Sequence, residues 1–278
     1  MNYRHHFHAG NFADLVKHAA LTEALAAMQR DPTPLMVIDT HAGAGAYELD
    51  WKSMREGEAA AAKRLTVDDA APAVFDRLKR ALRDESGRLQ TPIYPGSPLL
   101  IAKALRRGDR LVACELRPDD HAALDQRLRR LGARAEAVRG DGYAEAVQRL
   151  GALAGARALV LIDPPYERGD DYDQVVETLR RGLAAAPEAA FLVWAPLKDL
   201  ETLDRMARGV EAIRPAPTGV VAEVRLRPLT DPMRLNGCAI LAVNPPPGLA
   251  EALQAAGDWV AARLGDPGGG CRLWELGG

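Results

Sequence analysis

The chain has 278 residues, of which 47% are hydrophobic and 27% are charged, and its formal net charge is −2. These values are typical of a soluble globular protein and exclude a chain that coats nucleic acid through an overall basic charge, but not a local basic face. No apolar run approaches the roughly 20 residues of a membrane span, and the N-terminal sequence lacks the apolar core of a signal peptide. Three scattered cysteines form neither a metal motif nor an even disulfide set, so we expect a cytoplasmic protein.

The first predicted elements are a helix and a short strand. Apolar residues recur with helical spacing from Phe12 to Leu25, with Asn11 as the predicted N-cap and Asp14 in the first turn. The strand "LMVID" (35–39) follows and runs into the turn "THAGAG". A nucleotide-binding unit would place a helix directly after such a turn.

That helix is delayed. Residues of about 48–94 are charged, alanine-rich and helical in pattern, without a strand signal. "YPGSPLLIAKALRR" then begins a helix, with Ser97 as the predicted N-cap and Pro98 at the first helical position. We therefore predict a helical insertion subdomain over about 48–94.

Strands alternate with helices along the rest of the chain. The predicted strands are 110–116, 134–140, 158–163, 189–196, 219–228 and 237–246, and the predicted helices are 119–132, 143–153, 171–186, 198–210 and 249–265. Alternation of this kind indicates a parallel sheet covered on both faces, and two final strands without a helix between them should pair antiparallel. We read the tail 266–278 as a loop, with Trp274 as a candidate docking residue.

This order of elements resembles that of Rossmann-like class I S-adenosylmethionine-dependent methyltransferases. We therefore predict an α/β fold in which residues 1–278 form one domain. Its mostly parallel seven-stranded sheet would end in the antiparallel pair.

The turn after the first strand favours a cationic cofactor. Asp39 precedes Gly43 and Gly45, whose missing side chains let the backbone approach a ligand. The third glycine of a dinucleotide fingerprint is replaced by Glu48, and an acidic residue here would repel a pyrophosphate. A sulfonium cofactor without phosphates fits better, although short glycine turns after strands are usually only turns.

Acidic residues also follow the next predicted strands. Glu115 in "ACELRP" could accept from both hydroxyls of a ribose, and Asp141 in "RGDGY" could accept from an adenine amino group. Each acid alone would be read as a solvated strand end. Together with Asp39 and Asp163 they form a line along one edge of the predicted sheet, where open α/β sheets bind ligands.

The stretch "LIDPPYERGDDY" places Asp163 and Tyr166 at the end of a buried strand that two prolines terminate. "DPPY" resembles the motif of methyltransferases that act on exocyclic amino groups of nucleobases. Asp163, beside the carbonyl of Pro164, would accept from the adenine N6–H group and make the nitrogen nucleophilic, and the ring of Tyr166 would stack on the base. A rigid turn with a capping aspartate is the simpler alternative, and DNA adenine, rRNA adenine and rRNA guanine enzymes share the tetrapeptide.

Nearly the whole chain resembles the 23S ribosomal RNA (adenine(2030)-N6)-methyltransferase family. The motifs are "YRHHFHAGNFADLVKH", "DTHAGAG", "YPGSPLLIA", "CELRP", "DGY", "LIDPPYE", "DYDQVV" and "NGCAILAVNPP", in this order and spacing. The resemblance implies S-adenosylmethionine as cofactor, 23S rRNA as substrate, a catalytic Asp163 and a substrate contact by Tyr3. The cofactor contacts it implies are His18, His41, Ser97, Glu115, Asp141, Gly142 and Asp163, to which the glycine turn adds Gly43.

Four of the six histidines lie in the first 18 residues, but no nearby cysteine or carboxylate pair completes a metal site, so we predict no metal. We expect residues 1–18 to fold over the active site, with Tyr3, Arg4, His5 and Lys17 facing RNA phosphate or the target adenosine.

Other functions are compatible with parts of this pattern. A DNA adenine-N6 methyltransferase would have the same "DPPY" site, and a nicotinamide-dependent oxidoreductase would have the same strand–glycine–helix unit. We expect a monomer that acts on protein-free 23S rRNA or an early assembly intermediate, without membrane partners.

Overall fold

The computed structural model describes residues 9–49, 59–89, 92–132, 134–197, 199–229 and 235–277. A single large sheet organises these residues, with the strand order β10-β8-β9-β7-β6-β1-β4-β5. The strands of this sheet are β1 Leu35–Asp39, β4 Arg110–Cys114, β5 Ala135–Val138, β6 Arg157–Ile162, β7 Ala190–Pro196, β8 Gly219–Arg225, β9 Gly237–Val243 and β10 Gly270–Glu275. The five strands from β7 to β5 in this order are parallel, and β9, β8 and β10 are antiparallel to their neighbours.

The alternating pattern therefore predicted the α/β fold and the antiparallel β8–β9 pair correctly, but the count of seven strands and the interpretation of the tail as a loop were wrong. The tail is not a loop: Gly270–Glu275 forms an eighth strand at the sheet edge, paired with β8. Glycine-rich sequence before it and its alternating, half-exposed residues hid this strand, because an edge strand has only one buried face. Trp274 packs against the hydrophobic core on one face of the sheet, as its docking role required.

Helices cover both faces. They are α1 Phe12–Met28, α2 Ala60–Val67, α3 Asp76–Leu89, α4 Ser97–Ala104, α5 Pro118–Leu131, α6 Gly142–Gly151, α7 Asp171–Ala185, α8 Leu200–Glu211 and α9 Leu249–Leu264. One core cluster packs α1, α4, α5 and α9 on one face, and a second packs α6, α7 and α8 on the other. None of the helices within the described ranges has the length and apolar character needed to cross a bilayer.

The first helix begins as predicted. The side chain of Asn11 accepts from the backbone N–H of Asp14, and the Asp14 carboxylate accepts from the N–H of Gly10, so that two otherwise unpaired donors are satisfied. This reciprocal cap fixes the start of α1 and the direction of its first turn.

The insertion differs from the prediction in how it is closed and how it packs. Two short strands, β2 Ala46–Glu48 and β3 Ile93–Pro95, pair antiparallel at its base, where no strand was expected. Its helices pack against the main domain through Asp68, whose carboxylate accepts from the indole of Trp259 at 3.0 Å and pairs with Arg263 at 3.2 Å. Since α2 and α3 share one core cluster with α1 and α9, the insertion is built into the domain.

Candidate active site

The acidic residues predicted to share an edge do so. Strands β6, β1, β4 and β5 are consecutive neighbours in the sheet and run parallel, so Asp163, Asp39, Glu115 and Asp141 all lie at or just beyond their carboxyl ends. Four carboxyl groups from distant parts of the chain are thus collected along one edge.

Asp39 is the most buried of these acids. Its side chain is 0% exposed, and neither carboxylate oxygen makes a hydrogen bond of normal geometry within the part of the chain that the structure describes. Burial raises the pKa of Asp39 to about 7, although the nearby Ser97 hydroxyl and the His41 backbone N–H act in the opposite direction. A buried, unpaired carboxyl at this turn is a ready partner for a cationic ligand.

Two glycines keep this turn close to its neighbours. Gly43 has a φ of +60°, and a Cβ there would lie 2.1 Å from the hydroxyl of Tyr47. A Cβ on Gly142 would lie 1.9 Å from the carbonyl oxygen of Thr40. A larger residue at position 43 would displace the Tyr47 side chain, and one at position 142 would push the two turns apart.

The carboxylates of Glu115 and Asp141 each accept a hydrogen bond from a backbone N–H group. Glu115 accepts from the N–H of Arg117 at 2.7 Å, and burial raises its pKa above the ordinary value. Asp141 is the N-cap of α6 and accepts from the N–H of Tyr143 at 2.9 Å. Each carboxylate has further lone pairs, so a cap of this kind is compatible with ligand binding.

His41 lies between these acids. Its Nδ1 is 2.8 Å from the Thr40 hydroxyl, which donates to the carbonyl of Leu161, so Nδ1 donates and Nε2 is left as an acceptor. Burial lowers the pKa of His41, against the effect of nearby carboxylates, Asp163 first among them. The imidazole is therefore neutral near pH 7 and packs edge-on against Tyr143, with ring centroids 4.9 Å apart.

His18 and Ser97 lie on two helices that cover the same face of the sheet. His18, on α1, is buried, and its Nδ1 is 2.8 Å from the hydroxyl of Tyr94, a fully buried residue of β3 that sequence reasoning did not single out. Ser97 begins α4, but Gly96 is its N-cap and Pro98 is at the second helical position, so the predicted capping role of Ser97 is wrong. Its hydroxyl instead lies close to the Asp39 carboxyl group, where it acts to lower the pKa of that group.

Asp163 is held by a lysine. Lys17 donates to Asp163 Oδ2 at 2.5 Å and pairs with Asp14 Oδ1 at 2.8 Å, and its side chain is only 5% exposed. Burial alone would lower the pKa of Lys17, but the charges and hydrogen bonds of Asp14 and Asp163 outweigh it and raise that pKa. Among the described residues, Lys17 is the only hydrogen-bond donor to Asp163, which leaves Oδ1 available.

This placement corrects the expectation that Lys17 faces RNA phosphate, because a lysine enclosed by two carboxylates inside the fold cannot also contact an external backbone. The sequence signal was present: Lys17 lies in a helix whose neighbouring residues are nearly all apolar. A buried lysine requires a partner, but the sequence does not show that the partner is 146 residues away.

Tyr166 also departs from expectation. It has a φ of +50°, its ring is 6% exposed, and its hydroxyl donates to the carbonyl of Trp194 at 2.7 Å. The ring packs against Tyr172 and Trp194, with centroids 4.5 and 6.0 Å away. Tyr166 is therefore an anchor of the two-proline corner and does not offer the open face that stacking on a base would need. Pro164, whose carbonyl was assigned beside Asp163, is buried in this corner.

Tyr3, Arg4, His5, His6 and His8 lie outside the described residues, as does most of the loop 231–237. Within the described ranges, no three His, Cys, Asp or Glu side chains are grouped to hold a metal ion.

The arrangement fits S-adenosylmethionine. The buried Asp39 carboxyl suits a positively charged group, the Gly43 turn admits close approach of a ligand, and Glu115 can accept from a ribose. The cofactor would therefore lie over β1, β4 and β5, with Asp163 at the neighbouring strand end.

Comparisons with known proteins agree with this geometry. The model of the family described as "RsmJ: Ribosomal RNA large subunit methyltransferase D, RlmJ" matches residues 32–276. Ribosomal RNA large subunit methyltransferase J of Escherichia coli is 30% identical over 276 residues, covering 97% of this chain and 96% of that protein. The Haemophilus influenzae protein of the same name is 31% identical and covers 88% of each chain. A crystal structure of a Legionella pneumophila protein superposes with a TM-score of 0.85 at 26% identity, covering 97% of this chain and 99% of that one.

Proposed function

The chain belongs to the RsmJ/RlmJ family of ribosomal RNA large subunit methyltransferases, and on this premise we propose that it methylates the N6 amino group of adenine 2030 in 23S rRNA. It is an rRNA methyltransferase, and S-adenosylmethionine is its cofactor. The fixed Asp163 carboxylate is the observation that supports the adenine N6 chemistry best.

Asp163 is prepared to accept one hydrogen bond. Its Oδ2 is occupied by Lys17, which also fixes the direction of the carboxylate, whereas Oδ1 receives no donor within the described residues. Oδ1 would accept from the N6–H of adenine, and the carbonyl of Pro164 beside it would accept from the second N6–H. Two acceptors draw the nitrogen lone pair out of conjugation with the ring, which makes the amine nucleophilic.

The cofactor supplies an electrophilic methyl group on a sulfonium centre. Asp39, Glu115 and Asp141 would bind its cationic and hydroxyl-bearing parts, and Gly43 and Gly142 would admit its close approach. His18, His41 and Ser97 complete this binding set. The contribution of the chain to the rate is mainly positioning, because direct displacement requires the amine and the methyl group in line.

On the substrate side, we propose that Tyr3 and His5 contact the target adenosine from the N-terminal segment. The substrate would be protein-free 23S rRNA or an early assembly intermediate, and the enzyme would act as a monomer in the cytoplasm. These proposals rest on the family resemblance of the N-terminal motif.

Methyl transfer from radiolabelled S-adenosylmethionine tests the proposal. Protein-free 23S rRNA, assembled large subunits and duplex DNA are offered in parallel, and the modified nucleoside is identified by mass spectrometry. We expect N6-methyladenosine at one position of protein-free rRNA. Incorporation into DNA alone would indicate the DNA adenine enzyme, and methylation of a guanine would refute the N6-adenine assignment.

A further inference from the structure

A groove lies beside the two-proline corner, next to the loop that follows it. It has a volume of about 320 Å³ and is formed between the loop 166–169, Tyr172 on α7 and the first turns of α8. In the sheet, β1, β4 and β5 lie on one side of β6, and β7, which precedes α8, lies on the other. On the opposite wall, Arg168 interacts electrostatically with Asp141, so the groove also adjoins the edge that carries the cofactor-binding acids.

The groove has an unsatisfied polar group in its wall. Tyr172 is 9% exposed, and its hydroxyl makes no hydrogen bond within the described part of the chain. A buried hydroxyl without a partner costs free energy, so its presence points to a polar ligand that is bound during function. Tyr166 is the adjoining wall, with the two rings tilted at 40°.

Two arginines lie at the mouth of the groove, and they differ in their hydrogen-bond partners. Arg168 is held by Asp170 through two hydrogen bonds of 2.9 Å. Arg205, exposed on α8, makes no ion pair or hydrogen bond with the described residues. A free guanidinium can stack on a nucleobase or bind the RNA backbone.

The charge balance favours a nucleoside over a lone phosphate. Glu167 lines the groove as well, and Asp170 directly follows the loop 166–169, so the mouth is not uniformly positive. A hydroxyl, a carboxylate and a planar cation are groups with which proteins bind unstacked bases of RNA.

We infer that this groove binds the base of a nucleotide next to the target adenosine, with Arg205 and Tyr172 as its contacts. The inference rests on the proposed function, because the groove serves the same RNA strand whose adenine reaches Asp163. It gives the enzyme a second contact with an unpaired strand, which a single base pocket does not supply.

Steady-state kinetics with protein-free 23S rRNA tests the groove through Arg205→Ala and Tyr172→Phe. We expect Arg205→Ala to raise KM for RNA about tenfold, as loss of a stacking or backbone contact does, and Tyr172→Phe to raise it severalfold. The kcat of both variants and their affinity for S-adenosylhomocysteine should be unchanged within about twofold.

Arg208→Ala is the matched control, since Arg208 is one turn further along α8, exposed and paired with Asp204 at 2.9 Å, outside the groove. Equal KM values for Arg205→Ala and Arg208→Ala would overturn the inference, as would a fall in kcat with KM unchanged.

Ultraviolet cross-linking of 23S rRNA to the wild-type protein provides a check without a variant. We expect a cross-linked nucleotide on the tryptic peptide 169–180, which carries Tyr172, or on the peptide 199–205, which carries Arg205; cross-links confined to peptides without groove residues would contradict the groove. If the wild type methylated no RNA, the proposed function would fail, whereas filter binding of 23S rRNA to wild type and Arg205→Ala would still decide whether the groove binds RNA.

Discussion

Asp39 and Asp163 lie at the ends of neighbouring parallel strands, yet their carboxyl groups have opposite surroundings. Asp163 is paired with a buried lysine at 2.5 Å, whereas Asp39 has no hydrogen-bond partner within the described residues, and burial raises the pKa of Asp39 to about 7. One strand end thus carries a carboxyl group held in place by an ion pair, and the next carries an acid that can take up a proton near neutral pH. This difference matches the two proposed tasks. The acceptor for the adenine amine, Asp163, must be held in a fixed direction, whereas Asp39 can keep a proton until a cation binds beside it.

Asp163→Asn should break this comparison most strongly. The amide keeps the shape of the side chain but replaces an anionic acceptor by a neutral group, so we expect methyl transfer to fall by about 100-fold or more. Single-turnover assays with 23S rRNA measure the loss, and binding of S-adenosylhomocysteine should be largely retained. Asp173→Asn, an exposed position of α7, is the control and should transfer at the wild-type rate; a similar rate for Asp163→Asn would exclude its catalytic role.

Lys17→Gln should remove the ion pair that distinguishes Asp163 from Asp39. Without the lysine, the buried Asp14 and the partly exposed Asp163 would face the same position, and two carboxyl groups that share a site bind a proton, which would occupy the acceptor needed by the amine. We expect transfer to fall about tenfold at neutral pH and to recover as the pH is raised.

A pH–rate profile of Lys17→Gln from pH 6 to 9 shows this recovery directly. Lys103→Gln, which removes the lysine of an ion pair with Glu85 at a distance from the strand ends, is the matched control and should keep the wild-type profile. Parallel profiles for wild type and Lys17→Gln would mean that the lysine acts only on folding.

Asp39→Asn should change how stability depends on pH. The ordinary pKa of 3.8 becomes about 7 on folding, so the folded chain holds a proton that the unfolded chain releases between these values, and stability is lost as the pH rises through this window. A neutral amide does not pay this cost. We expect the melting temperature of Asp39→Asn to exceed that of wild type by several degrees at pH 8.5 and by less at pH 5.5.

The same carboxyl makes a second measurement possible. A cation bound beside Asp39 favours its ionised form, so S-adenosylmethionine binding at pH 6 should release a proton, which calorimetry in buffers of different ionisation enthalpy detects. Asp39→Asn should show weaker binding and no such release. A melting-temperature difference that is independent of pH would contradict the raised pKa.

The sequence was sufficient for the parts of this arrangement that depend on local pattern. Alternating apolar strands and helices predicted the sheet, and the acidic residues after four strands predicted which edge they share. The cap of α1 at Asn11 also followed from a short motif, because its contacts span only four residues.

Contacts between distant segments could not be predicted in this way. The partner of Lys17, the hydrogen bond of His18 with Tyr94 and the burial of Tyr166 all depend on how α1, β3 and β7 are placed around the strand ends. The sequence motifs predicted substrate contacts for Lys17 and Tyr166, because a motif indicates the chemistry of a side chain but not how deeply it is buried.

Tyr166→Phe should have the smallest effect of these substitutions. Its effect on the free energy of unfolding distinguishes the two-proline corner from the cofactor side of Asp163. It removes the 2.7 Å hydrogen bond to the Trp194 carbonyl while keeping the ring that packs in the corner, so we expect a loss of about 1–2 kcal/mol in the free energy of unfolding. Methyl transfer should fall only severalfold, because the corner keeps its packing. Tyr143→Phe, on the cofactor side, is the matched substitution: its buried hydroxyl has no hydrogen-bond partner among the described residues, so removing it should leave stability unchanged or raise it. Urea unfolding of the two variants decides the comparison, and equal stability losses would show that the Tyr166 hydroxyl does not anchor the corner.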